Sequence, residues 1–219
     1  ANQLKVKVKM IHSESINSGT VKHFLKDLDG ILVAPGFGER GIEGKIMSIK
    51  YARENKIPFL GICLGMQCAV IEYGRNVLKF EDAHSTEMNP ATPHPVIDIM
   101  EEQKKISNKG GTMRLGSYPC TIKPGTKSFE VYGTSDIKER HRHRFEFNNK
   151  YLDDYNKAGM MTVGINRQDN LVEMIELKDH PWFIGVQFHP EYRSTVALPH
   201  PLFVNFVQAA GLYHKTEIK

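Results

Sequence analysis

Cysteine is scarce in this sequence. Three residues in 219, an odd number without framework spacing, exclude a disulfide-built scaffold and point to a reducing compartment. Long apolar runs are missing too. No stretch is long enough to span a bilayer, and Ala1-Asn2-Gln3-Leu4-Lys5-Val6 lacks the apolar core of a secretory signal. The expectation is a soluble cytoplasmic protein without membrane contact. Charge of one sign is not in great excess: the net charge is +4 and the basic residues are spread out, so no nucleic-acid partner is expected. There is no internal repeat and no low-complexity segment. What the chain does have is a 40% hydrophobic composition, which at this length suits one globular domain with a sizeable core.

Residues 4–11 alternate Leu4, Val6, Val8 and Met10 with Lys5, Lys7 and Lys9, which predicts a half-buried strand with a lysine-rich face at a sheet edge. Residues 16–28 carry Ile16, Val21, Phe24, Leu25 and Leu28 near helical spacing, with Asn17 or Ser18 as the cap. Asp29-Gly30 turns the chain into a short buried strand over 31–34. Then comes Pro35-Gly36-Phe37-Gly38-Glu39-Arg40-Gly41-Ile42-Glu43-Gly44, whose four glycines let a backbone approach a ligand closely. No Gly-Lys-Ser/Thr follows, so this is not a phosphate-cradling loop. A helix is expected over 45–55.

The most informative stretch is Ile57-Pro58-Phe59-Leu60-Gly61-Ile62-Cys63-Leu64-Gly65-Met66-Gln67. The apolar run reads as a buried strand, and residues 66–73 read as a helix. Cys63 falls on the turn between them. Glycines two residues before and two after it permit a tight fold, as in the elbow that exposes a nucleophilic serine, here with sulfur. At a helix N-terminus the dipole and free N–H groups favour a thiolate and a developing oxyanion. Cys63 is therefore the candidate nucleophile. The order so far, strand–helix–strand–loop–helix–strand–elbow–helix, predicts an α/β fold with a parallel sheet, and ligands bound beyond the carboxyl ends of its strands.

Regularity drops over 79–116, where Glu101-Glu102-Gln103-Lys104-Lys105 and Asn108-Lys109-Gly110-Gly111 read as an exposed turn. The run Glu139-Arg140-His141-Arg142-His143-Arg144-Phe145-Glu146-Phe147 is the most unusual composition. If extended, Arg140, Arg142 and Arg144 share one face and His141 and His143 the other. Histidines at i, i+2 can ligate a metal, but no cysteine or carboxylate pattern with zinc spacing accompanies them, so no metal site is expected. The arginines fit an anion or, more simply, a solvated edge strand. Residues 171–177 and 182–188 are expected to form an antiparallel hairpin. The second strand runs into His189-Pro190-Glu191, and Pro201 opens a final helix. A cysteine nucleophile needs a base, and the base an orienting group. His189 with Glu191 is the best pair available, both on one side of an extended segment.

These residues resemble class I (triad) glutamine amidotransferases, and within them the C-terminal glutaminase domains of the CTP synthase family. The class motifs are Pro35-Gly36-Phe37-Gly38, Gly61-Ile62-Cys63-Leu64-Gly65-Met66-Gln67 and His189-Pro190-Glu191. The narrower resemblance rests on Gly36-Phe37-Gly38-Glu39-Arg40-Gly41, Ser85-Thr86-Glu87, Gly110-Gly111-Thr112-Met113-Arg114-Leu115-Gly116 and Glu139-Arg140-His141-Arg142-His143-Arg144, and runs over almost the whole chain. It implies one glutaminase domain over 1–219 with a doubly wound, mostly parallel, flavodoxin-like sheet flanked by helices and an antiparallel hairpin toward the C-terminus.

The resemblance also implies roles. Cys63, His189 and Glu191 form the triad. Gly36 and Leu64 supply oxyanion N–H groups. L-glutamine is held around Gly36, Leu64, Gly65, Met66, Gln67, Glu87 and Arg144, with Glu87 suited to its ammonium and Arg144 to its carboxylate. Pro35 stands where the family usually has a glycine, and since proline has no N–H, Gly36 is expected to serve. No cofactor is expected in this domain. ATP and Mg belong to a synthetase domain of the same polypeptide, absent from this chain together with a first strand and helix, and GTP is the expected activator, linked to a lid over 37–44. Homo-oligomers of the full-length protein are expected. Two other readings remain open at this point: a different amidotransferase or γ-glutamyl hydrolase, and an inactive binding domain that kept the elbow.

Overall fold

In the computed structural model, which describes residues 2–99 and 113–217, the short apolar runs become strands and the runs at helical spacing pack over them. The strands are β1 (Ile31–Val33), β2 (Phe59–Ile62), β3 (Ala83–Ser85), β4 (His94–Ile99), β5 (Arg114–Ile122), β6 (Asp136–His143), β7 (Phe145–Phe147), β8 (Met160–Asn166), β9 (Leu171–Leu177) and β10 (Phe183–Val186). The helices are α1 (Val21–Leu25), α2 (Ile42–Glu54), α3 (Leu64–Asn76), α4 (Lys127–Tyr132), α5 (Leu152–Ala158) and α6 (Pro201–Glu217). Seven strands form one sheet in the order β1-β2-β10-β9-β8-β5-β6, and β3-β4-β7 form a smaller one.

The α/β architecture is the expected one, but the sheet is mixed rather than mostly parallel, and its pairing divides by connection type. β1, β2 and β10 are parallel, whereas β10, β9, β8, β5 and β6 pair antiparallel. Parallel neighbours need a crossover, and α2 supplies one between β1 and β2. The short turn between β9 and β10 permits only the hairpin that was expected. β2 and β10 are buried at every residue, the mark of strands covered on both faces. Successive side chains feed opposite cores. Phe59 and Phe183, paired in register, stack at 4.3 Å in the core under α2 and α3. Leu60, Ile62, Ile184 and Val186 enter the core that α6 covers through Leu202. Between α2 and α3, the Arg53 guanidinium grips the fully buried Glu72 carboxylate with bonds of 2.9 and 2.7 Å.

Two expectations fail near the N-terminus. Residues 4–11 join no ladder among the described residues, and Leu4, Val6, Val8 and Met10 are all exposed, Met10 at 89%. An alternating pattern specifies a strand only where a paired neighbour and a buried face receive it, and here neither is present. The helix expected over 16–28 shrinks to α1, because Asn17 and Thr20 engage each other and Ser15 in a turn before it starts. The expected exposed turn at 101–105 and 108–111 lies outside the described residues.

The elbow is where the backbone is most constrained. Cys63 has φ 51° and ψ −104°, a conformation that L-residues avoid. The chain can hold it because α3 starts so close to β2. A Cβ on Gly61 would come within 2.8 Å of the Gly65 backbone, and one on Gly65 would run into the Val33 carbonyl oxygen. Gly65→Ala is expected to destabilise the protein by about 1–3 kcal/mol through overpacking against β1. A urea midpoint equal to wild type would contradict this.

Candidate active site

The site forms at the carboxyl ends of β2 and β10. Parallel pairing runs to Ile62 opposite Val186, and Cys63 N–H then donates to Val186 O at 2.7 Å. This bond sets Cys63 beside the segment that carries Gln187 and His189. The Cys63 side chain is buried, and burial pushes its thiol up to about 12, reinforced by the negative charges of Glu191 and Glu87. The Leu64 N–H at the start of α3 and the Gln187 side chain act in the opposite direction. The sulfur lies 4.0 Å from Arg142 O. At rest, then, it is a thiol.

Past β10 the chain stays tied to its neighbours: Gln187 N–H donates to Glu173 O at 2.9 Å and His189 N–H to Arg140 O at 2.8 Å. His189 and Glu191 pair as expected but not on an extended segment. Glu191 lies in a 3₁₀ turn, Pro190–Arg193, which brings Glu191 Oε1 to 2.6 Å from His189 Nδ1. Tyr192 stacks on the imidazole at 4.9 Å and 8°. With Nδ1 engaged, Nε2 is the nitrogen available for proton transfer, and it is buried with no hydrogen-bond partner among the described residues.

A pocket opens over Cys63. Of the expected glutamine contacts, Gly36, Gln67, Glu87 and Arg144 line it. Leu64, Gly65 and Met66 do not: Leu64 backs Gly36, Gly65 packs on Val33, and the Met66 side chain is buried in the core. Phe37, Met113, His143 and Phe145 line it without having been expected. The Glu87 carboxylate accepts from Gly38 N–H at 3.4 Å, and Arg142 lies 5.5 Å over the Phe37 ring, so both the acidic residue and the arginine row hold the glycine loop.

β6 is a sheet edge, with Arg140 and Arg142 exposed and Glu139, His141 and His143 buried. Its buried side is a polar network that the solvated-strand reading missed. His141 Nδ1 and His143 Nε2 are 3.0 Å apart, His143 Nδ1 is 3.1 Å from Phe145 O, and the Arg114 guanidinium bonds Glu173 beside them. Burial lowers His141 to about 2 and His143 to about 3, so both rings are neutral. Since Phe145 O only accepts, His143 carries its proton on Nδ1 and accepts from His141 on Nε2. Ligand atoms of His141, His143 and Glu173 lie within 4.8 Å of one another, a spacing that could hold a metal ion. The Arg114 charge next to them works against a cation there. Glu139, on the same face, accepts from Tyr132 and pairs with His200 Nε2 at 2.8 Å.

Comparisons with known proteins give the family. The family model for class-I glutamine amidotransferases matches residues 1–209, and the chain belongs to that family. Within it, the chain is 63% identical to CTP synthase of Flavobacterium johnsoniae over 98% of its length, and 58% identical to that of Clostridium beijerinckii over 96%. It spans about 40% of the length of these relatives. Among solved structures, the Trypanosoma brucei CTPS glutaminase domain with bound acivicin superposes with a TM-score of 0.90 at 35% identity, covering 95% of this chain and 82% of that one. The chain is thus a class-I glutamine amidotransferase domain, most of it similar to the glutaminase part of CTP synthases. A GMP synthase component from Thermoplasma acidophilum, at 18% identity and a TM-score of 0.60, shares the fold.

The neutral histidines make the protein acid-sensitive. The unfolded chain protonates them below about 6.5, whereas the folded values are near 2 and 3. Their contribution is complete above pH 6.5 and is lost as pH falls toward the folded values, at about 1.4 kcal/mol per pH unit for each ring. Glu173, pushed up to about 7 by burial, opposes this between 4.5 and 7 and no longer does so below 4.5. Urea midpoints measured against pH should therefore fall less steeply in His143→Asn than in wild type, most clearly below pH 4.5. Parallel profiles would count against the neutral pair.

Proposed function

We propose that this chain hydrolyses L-glutamine to glutamate and ammonia through Cys63, His189 and Glu191, and passes the ammonia to a synthetase domain of the same polypeptide. His189 Nε2 takes the Cys63 proton, and the sulfur attacks the side-chain amide carbon. The oxyanion is received by the N–H groups of Leu64 and Gly36, each such donor contributing about 2.7–4 kcal/mol in a transition state. The C–N bond breaks as His189 returns the proton to the departing nitrogen, leaving a γ-glutamyl thioester. Water, deprotonated by His189, then attacks the thioester, the C–S bond breaks, and the thiol is restored. Glu191 orients the ring and balances its charge.

The observation that carries this reading is the strained Cys63 at the start of α3, facing a pocket whose polar walls, Glu87 and Arg144, carry the two charges that complement an amino acid. The likeness to a glutaminase domain with bound acivicin supports a small-molecule ligand for this domain. The relatives' name, CTP synthase, supports the larger role of making CTP. In this proposal the ammonia serves an ATP- and Mg-dependent amination of UTP in the synthetase domain, GTP is the activator, and the loop over 37–44 closes over glutamine. The synthetase domain and a homo-oligomer are the partners that go with that role.

Cys63→Ala is expected to abolish glutamine hydrolysis, and with it covalent labelling by a glutamine analogue bearing an electrophilic carbon. Turnover retained in the folded variant would sink the assignment. Arg144→Met should raise KM for glutamine at least about tenfold, as expected for loss of a charge-assisted contact made in both ground and transition states. An unchanged KM would remove Arg144 from the carboxylate subsite.

A further inference from the structure

Gln187 is fully buried, and its chain neighbours Val186 and Phe188 belong to the apolar core that α6 covers. A buried amide needs partners at both ends. Here its Nε2 lies 3.6 Å from Cys63 Sγ, and its Oε1 accepts from Gln67 Nε2 at 3.1 Å. Gln67 Nε2 also donates to Phe145 O at 2.8 Å, the carbonyl on which His143 Nδ1 is seated.

That carbonyl can only accept, which fixes the direction of every bond in the chain. Turned over, the Gln67 amide would set its oxygen against the Phe145 oxygen. With its nitrogen there, Gln187 must show Oε1 to Gln67 and Nε2 to the sulfur. A backbone group on β7 thereby dictates that an N–H, and not a carbonyl, faces Cys63.

We propose that Gln187 is a catalytic residue of this site: its side-chain N–H, locked in one orientation by the Gln67 amide and the Phe145 carbonyl, stabilises the Cys63 thiolate as the S–H proton leaves for His189 Nε2. The proposal rests on the Cys63–His189 reading above. A donor to a sulfur anion strengthens as the charge develops, and one already oriented costs no reorganisation. The surroundings make it needed. The sulfur is desolvated, Glu87 and Glu191 face it with negative charge, and among the described residues the Leu64 N–H and the Gln187 amide are set against them. Arg144 and the neutral His143 share the pocket wall. In this scheme His143 is a positioning residue, acting only through the Phe145 carbonyl.

The test is the pH profile of iodoacetamide alkylation of the intact chain, read at Cys63 by peptide mapping so that Cys68 and Cys120 do not contribute. In Gln187→Met the inflection should rise by about one pH unit and the rate at neutral pH should fall about tenfold. In kinetics, kcat should fall while KM for glutamine stays within about twofold, a split that a merely structural role would not produce. Gln187→Glu, which sets a carboxylate oxygen on the sulfur, should fall further. Profiles and kcat within about twofold of wild type in both variants overturn the proposal. Should the variants not fold, the amide itself decides: in ¹⁵N-labelled protein the Gln187 side-chain protons should shift on Cys63→Ala, and unmoved resonances overturn it. A shifted alkylation profile in a protein that does not hydrolyse glutamine would uphold the donor and overturn the glutaminase reading instead.

Discussion

The hydrogen bond from Cys63 N–H to Val186 O, at 2.7 Å, closes the parallel ladder between β2 and β10, and the site depends on it. It is the last rung before both strands end. On one side the chain bends at once into α3, and on the other it continues through Gln187 to His189. Cys63 and His189 are therefore not brought together by loops finding each other. They are the next residues after a shared ladder whose register is fixed by fully buried side chains on both faces. The two cores, stacked Phe59 and Phe183 on one face and Ile62 and Val186 on the other, hold that register.

The second constraint is electrostatic. A desolvated thiol between two carboxylates resists ionisation, and the fold answers with dipoles in place of full positive charges next to the sulfur. The Leu64 N–H at the start of α3 and a buried amide face it, while Arg114 bonds Glu173 beside the histidines and Arg142 lies over Phe37. Neutral His141 and His143 fit the same scheme, since a charged ring there would lie beside Arg114.

Much of this was legible in the sequence, for identifiable reasons. The elbow could be read because the glycines flanking Cys63 answer a local steric demand, and His189 with Glu191 because their spacing survives whether the segment is a strand or a turn. The alternation at 139–144 correctly gave an edge strand with two faces, but composition could not say that the histidine face is buried, since burial there is decided by Glu173 and Phe188 from segments distant in sequence. Gln187 did leave a signal, a lone amide inside an otherwise apolar run, whose meaning depends on Gln67, 120 residues away in sequence. Residues 4–11 show the converse. Their alternation is clear, yet a pattern of side chains does not supply the neighbouring strand that a ladder requires.

The alternation of β6 has a further consequence for how the pocket wall can vary. Eight register pairs tie it to β5, from Arg114 opposite His143 to Thr121 opposite Asp136. A slip of one residue would drive Arg140 and Arg142 into the interior and turn His141 and His143 out to water. The nearest arrangement that restores the pattern lies a full two-residue step away, about 7 Å along the strand. The wall behind Cys63 is thus indexed like a ratchet: it can sit in its notch or leave it, and thermal motion has no graded series of small misalignments to explore in between.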